Sequence, residues 1–66
     1  MTNQLLFKVV ALYPFRGSFT DDLEFDPGQE IDVFTEYEDG WLFGSYVDAE
    51  GVPRQGNFPS TFTKSK

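Results

Sequence analysis

The sequence predicts an all-β chain that closes into a small barrel of about five short strands. Three observations carry this. Polar and apolar residues alternate in Asp22-Leu23-Glu24-Phe25-Asp26 and again in Glu30-Ile31-Asp32-Val33-Phe34, the period of a half-buried strand. Turn residues punctuate the chain at short intervals, at Asp26-Pro27-Gly28-Gln29, at Asp39-Gly40 and at Gly51 and Pro53. No stretch carries the apolar stripe of a helix.

Taken in order, residues 1–6 are mixed and are expected to be a frayed N-terminal extension, with the folded domain over 7–64 and a C-terminal tail at 65–66. Phe7 to Leu12 is β-rich, with Val9 and Ala11 on one side of the pleat and Lys8 and Val10 on the other. Pro14 punctuates, and Arg16 to Asp22 is a loop. The alternating stretch Asp22–Asp26 is expected as a strand with its carboxylates in water. In the following turn Pro27 presets φ and Gly28 tolerates a positive φ. Ile31 and Val33 mark the buried face of the next strand. Glu36 to Gly40 is a polar turn, and Trp41 to Val47 is a strand whose Gly44 points to a close approach of a neighbour. Asp48 to Arg54 is expected as a hairpin loop, Gln55 to Phe58 as a short strand, Pro59 to Thr61 as a tight turn and Phe62-Thr63 as the last strand.

Charge and composition narrow the function. The formal net charge is −6, yet all eleven acids lie between Asp21 and Glu50, an interval that holds no Lys or Arg. Lys8, Arg16, Arg54, Lys64 and Lys66 sit outside it. Such a run repels phosphate and anionic lipid and attracts cationic partners, so nucleic acid is not an expected partner. Disorder is excluded by twelve aromatics, eight Phe, three Tyr and one Trp. No apolar run is long enough for a membrane span, so no membrane insertion is expected. The lack of Cys favours a cytoplasmic setting.

The chain has neither His nor Cys, which removes Ser–His and Cys–His nucleophile pairs and the common zinc ligand sets. Asp21 and Asp22 are adjacent, and on a strand they point to opposite faces, which makes a poor acid/base pair. Asp22, Glu24 and Asp26 resemble the start of a calcium loop, but Pro27 stands where such a loop needs Gly and Val33 where it needs Glu. No catalysis, cofactor or metal is expected. What remains is an excess of rings. Tyr13, Phe15, Trp41 and Phe62 lie beside turn residues instead of at inward strand positions, with Pro59 nearby. Rings in a shallow groove beside acids suit a polyproline helix that carries Arg or Lys: rings form flat walls for proline, and Trp N–H or Tyr O–H donates to its free carbonyls.

Four motifs, Ala11-Leu12-Tyr13-Pro14-Phe15, Asp22-Leu23-Glu24-Phe25 with Gly28, Asp39-Gly40-Trp41 and Gly56-Asn57-Phe58-Pro59-Ser60-Thr61-Phe62, together resemble the Src-homology 3 (SH3) domain over most of the chain. The resemblance implies a five-stranded SH3-like barrel with a short 3-10 turn before the last strand. It also implies a monomeric interaction module that binds proline-rich PxxP-type segments as part of a larger adaptor. The ligand groove would be Tyr13, Phe15, Trp41, Pro59 and Phe62, with Asn57 at its edge, and Asp21, Asp22, Glu38 and Asp39 would form the pocket for a basic residue. The core would be Val9, Ala11, Leu23, Phe25, Ile31, Val33, Gly44 and Phe58. The family usually has Tyr where this chain has Phe15 and Phe62, and Asn where it has Thr61. Phe at the last groove position is associated with members that bind ubiquitin through the same groove, which gives an alternative partner. More loosely, Trp41-Leu42-Phe43-Gly44-Ser45-Tyr46 with Asp48 and Gly51 is similar to SH3 domains of fungal cortical actin-patch adaptors. That likeness implies class I myosin or verprolin-like partners and a cytoplasmic place at the cortical actin cytoskeleton.

Overall fold

The computed structural model describes residues 4–66. Strands β1 (Phe7–Ala11), β2 (Glu30–Glu36), β3 (Trp41–Val47), β4 (Pro53–Pro59) and β5 (Thr63–Ser65) form one antiparallel sheet in the order β4-β3-β2-β1-β5. A 3-10 turn over Ser60–Phe62 links β4 to β5. The sheet is curled: its extents are 27 × 26 × 25 Å, where a flat sheet of this size would be oblong. A bulge at Phe34, between the paired residues Val33 and Thr35, helps β2 bend.

The core is Val9, Ala11, Leu23, Phe25, Ile31, Val33, Leu42 and Phe58, with Phe58, Ile31 and Val33 wholly enclosed. It contains every apolar side chain the alternation places inward, and Gly44 is buried beside them. Leu42 is the addition. It shares the inward parity of Gly44 on β3 and pairs with Phe58 across β4, but the Phe and Trp that flank it mask the alternation in the sequence.

Three expected elements differ. Asp22–Asp26 is not a strand; it makes one parallel bridge, Asp22 with Asn57, and one antiparallel bridge, Phe25 with Phe15. Leu23 and Phe25 are buried as the alternation requires, but the segment crosses from one partner to another, so no continuous ladder forms. β4 starts at Pro53 rather than Gln55, because Val47 and Pro53 already face each other and shorten the hairpin loop. Proline is tolerated there, at the first position of the strand. At the chain ends, residues 1–3 of the expected extension lie outside the described residues, and Leu6 donates its N–H to Val33 O at 2.8 Å. β5 begins at Thr63 instead of Phe62, Ser65 pairs with Val9, and Lys66 donates its backbone N–H to Lys8 O.

Candidate functional site: a row of rings ending in an acidic cavity

The site is built by two loops and the 3-10 turn. The first, residues 12–29, folds back on itself where Phe15 and Phe25 exchange two backbone hydrogen bonds of 3.0 and 3.1 Å. Arg16 ties its two arms together, donating to Phe25 O at 2.7 Å and to Asp26 Oδ1 at 2.6 Å. At its tip the Asp22 N–H donates to Phe19 O, and Asp22 Oδ2 accepts from the Phe19 N–H. The loop is then fastened to β4: the Leu23 N–H donates to Asn57 O at 2.8 Å and the Asn57 N–H to Asp21 O at 2.9 Å. Gly56 permits this approach, since a Cβ there would lie 2.6 Å from Leu23 N and 2.7 Å from Asp21 O.

The second loop, residues 37–40, is closed by the Tyr37 N–H to Trp41 O at 2.9 Å. Asp39 Oδ1 accepts the Trp41 N–H at 3.1 Å, an Asx turn that places the carboxylate beside the indole. Ser60 at the start of the 3-10 turn donates its N–H to Gly40 O, which brings the turn against this loop.

The four singled-out rings form one continuous row. Tyr13 meets Phe62 edge-on at 5.9 Å between centroids, Phe62 meets Phe15 at 5.5 Å, and Phe15 meets Trp41 at 6.0 Å. Edge-on aromatic contacts of this kind add about 0.5–1.5 kcal/mol beyond burial, so the row holds its own shape. Pro59 sits directly across from Trp41 on β4, and Asn57 lies two residues before it on the same face. Trp41 is half-buried and Tyr13 is 56% exposed, and neither Trp41 Nε1 nor Tyr13 Oη has a hydrogen-bond partner among the described residues. Both can donate to an incoming carbonyl.

At the Trp41 end the row opens into a cavity of about 460 Å³ lined by Phe19, Asp21, Asp22, Tyr37, Asp39, Trp41 and Asn57. The structure thus brings together Asp21, Asp22 and Asp39 from two loops that are distant in sequence. Glu38 is exposed and is not in the lining; its neighbour Asp39 occupies the inward position of the turn. Sequence reasoning missed Phe19, which is 74% exposed, and Tyr37, whose Oη donates to Asn57 Oδ1 at 3.2 Å. Both are rings amid turn residues, the signal that marked Tyr13 and Trp41, but the sequence does not show that their two loops meet.

A continuous strip of rings with free donors, ending in carboxylates, can take an extended apolar chain with a cationic end. Comparison with known proteins agrees with that geometry. The family model described as the SH3 domain matches residues 10–60, and the chain belongs to this family. An SH3 domain-containing protein of Schizosaccharomyces pombe is 56% identical over 57 residues, 86% of this chain and 4% of the relative. The septation protein imp2 of the same yeast is 36% identical over 62 residues, 94% of this chain and 9% of that protein. The chain therefore spans less than a tenth of the length of these relatives. Among solved structures, the C-terminal SH3 domain of Myosin IB from Entamoeba histolytica, bound to an EhFP10(GEF) peptide, superposes with a TM-score of 0.75 at 28% identity, covering 98% of each chain. SH3 domains are non-catalytic interaction modules that typically bind proline-rich peptides.

Proposed function

We propose that this chain docks PxxP-type polyproline II segments bearing Arg or Lys, and does so as one module of a larger adaptor or scaffold. The continuous row Tyr13–Phe62–Phe15–Trp41, leading into a cavity walled by Asp21, Asp22 and Asp39, carries the reading. Proline rings fill the spaces between the aromatic side chains, Trp41 Nε1 and Tyr13 Oη donate to ligand carbonyls, and the cation enters the acidic cavity. A proline-rich ligand is already stiff, so little ordering entropy is lost, and a shallow groove of this size suits dissociation constants on the order of micromolar. Phe15, Phe62 and Thr61 lack the hydroxyls and amide usual in the family; each hydrogen bond forgone costs about 0.5–1.5 kcal/mol, which shifts the weight of binding to rings and charge.

Trp41 is the single tryptophan, so its fluorescence reports the groove directly. Titration with PxxP peptides carrying an Arg or Lys flank is expected to give a saturable change. Trp41→Ala is expected to weaken binding by at least about 30-fold, as for a central aromatic anchor, while circular dichroism shows the fold intact. Undiminished binding by Trp41→Ala, measured by calorimetry, would place the ligand elsewhere.

Ubiquitin is the second reading, favoured by Phe62, whose ring without a hydroxyl stands in the middle of the row. Saturable chemical-shift changes around Phe62 with ubiquitin, reduced in Phe62→Tyr, would support it. The class I myosin or verprolin-like partners and the cytoplasmic setting at the cortical actin cytoskeleton belong to this proposal as well. They are supported by the likeness of Trp41 to Tyr46 to actin-patch adaptors, and co-localisation of the full-length protein with cortical actin tests them.

A further inference from the structure

A second cleft lies on the other side of the first loop, between that loop and the β3–β4 hairpin. It measures about 560 Å³, larger than the cavity beside Trp41, and shares only Phe19 and Asp22 with it. One of its walls is an open sheet edge. Asn57 turns both its N–H and its C=O away from β3, toward Leu23 and Asp21 of the loop. In an antiparallel ladder the orientation repeats every second residue, so Gln55, paired with Ser45, also turns its N–H and C=O outward. The loop covers the edge at Asn57 and stops there. Gln55 is exposed, lines the cleft, and has no hydrogen-bond partner for either group among the described residues. Two residues earlier Pro53 offers only a carbonyl.

The charge around this edge is unbalanced. Asp22, Glu24, Asp26 and Asp48 line the cleft with Arg16 and Arg54, and both guanidiniums are already engaged, with Asp26 at 2.6 Å and Asp48 at 3.0 Å. Asp22 and Glu24 have no cationic partner among the described residues, which leaves two negative charges uncompensated beside a free donor and acceptor. Tyr46 Oη donates to Glu24 O at 2.5 Å and so fixes the loop wall against β3.

We infer that this edge is a second docking site, and that its occupant is an extended, basic segment of a partner protein that adds a short strand alongside Pro53–Gln55. Strand addition satisfies the Gln55 N–H and C=O, and it sets alternate side chains of the added segment on the face of Tyr46 and Glu24. Lys or Arg at those alternate positions meets the uncompensated carboxylates. An extended segment needs no proline here. Only about three residues of edge are open, or roughly 10 Å of strand at about 3.3 Å per residue, so the site takes a short segment.

The site adjoins the cavity at the end of the ring groove through Phe19 and Asp22 alone, and the test separates the two. The 66-residue chain and its Trp41→Ala variant are titrated with the proline-free peptide acetyl-Thr-Arg-Val-Arg-Thr-amide while backbone amide shifts are followed. Saturable shifts at Gln55 and Glu24 are expected in both proteins, together with slower exchange of the Gln55 amide. Glu24→Gln is expected to weaken the peptide about threefold without changing affinity for a PxxP peptide. Gln55→Pro removes the edge donor at a position where proline is tolerated, and is expected to abolish the shifts. The proposal is overturned if Gln55 does not respond, if shifts are confined to Trp41 and Asn57, or if replacing both peptide arginines by glutamine leaves affinity unchanged. It is equally overturned if Gln55 shifts with protein concentration alone, since the edge would then pair with a second copy of the chain.

Discussion

A Cβ placed on Gly44 would lie 2.5 Å from the Asp32 carbonyl oxygen, 2.9 Å from Ile31 Cγ2 and 3.1 Å from Phe58 Cε1. Two of those neighbours are wholly buried side chains and the third is ladder backbone, so none can move aside cheaply. Gly44→Ala is therefore expected to lower the free energy of unfolding by about 1–3 kcal/mol, the usual cost of overpacking a core. Urea denaturation measures this, and an unchanged midpoint would mean that β2 and β3 separate more easily than their packing implies. The need for glycine here was legible in the sequence, because Gly interrupts a run of residues that otherwise favour strands. The placement of Phe19 and Tyr37 was not. Each is one ring in a polar loop, and only the meeting of residues 19–22 with residues 37–41 makes them walls of one cavity.

Among the elements, the β3–β4 hairpin is held by a single side chain at three points. Asp48 Oδ1 accepts the N–H of Glu50 and of Val52, each at 2.9 Å, and Oδ2 binds Arg54 Nε at 3.0 Å. The Val52 N–H is the main reason its carboxyl is held below the ordinary range; desolvation is the next largest effect and opposes it, and Arg54 and the Glu50 N–H add to the lowering. A carboxyl that binds its proton less readily when folded stabilises the fold at pH values above its unfolded value, and that contribution fades as pH falls through the folded one. Asp48→Asn is accordingly expected to be less stable than the parent chain by a constant amount from about pH 5 to pH 8, with the two converging below about pH 4. Thermal melts across that range decide it; a gap that widens in acid would contradict the assignment. The elements also show where sequence patterning stops. Alternation in Asp22–Asp26 correctly told which side chains are buried, but alternation reports a face and not a partner. The segment satisfies that pattern while bonding Asn57 at one end and Phe15 at the other.

For the whole molecule, the acids confined to residues 21–50 divide by position. Asp21, Asp22 and Asp39 stand in the cavity beside Trp41, whereas Asp32 and Glu30 form ion pairs with Lys8 and Lys66 on the outer surface. Exposed pairs of that second kind contribute about 0–1 kcal/mol each, so they matter little to stability. The first group is expected to act on binding. Replacing Asp21 and Asp39 by Asn should weaken an Arg-bearing PxxP peptide severalfold in dilute salt and flatten the dependence of its affinity on ionic strength. An unaltered salt dependence would return those carboxylates to mere solvation.

The pairing of Val9 with Ser65 joins the two ends of the chain, and it has a kinetic and a protective side. A contact spanning nearly the full sequence can form only after the intervening chain has been gathered, which is why small barrels of this topology fold on a scale of milliseconds to seconds rather than microseconds. The last three paired residues also occupy one flank of β1 from Val9 to Ala11. Were Thr63–Ser65 removed, the backbone of Val9, Val10 and Ala11 would be left as a bare, apolar edge open to any other strand. The C-terminal strand thus guards the chain against self-association, at the opposite end of the sheet from the edge left open at Gln55.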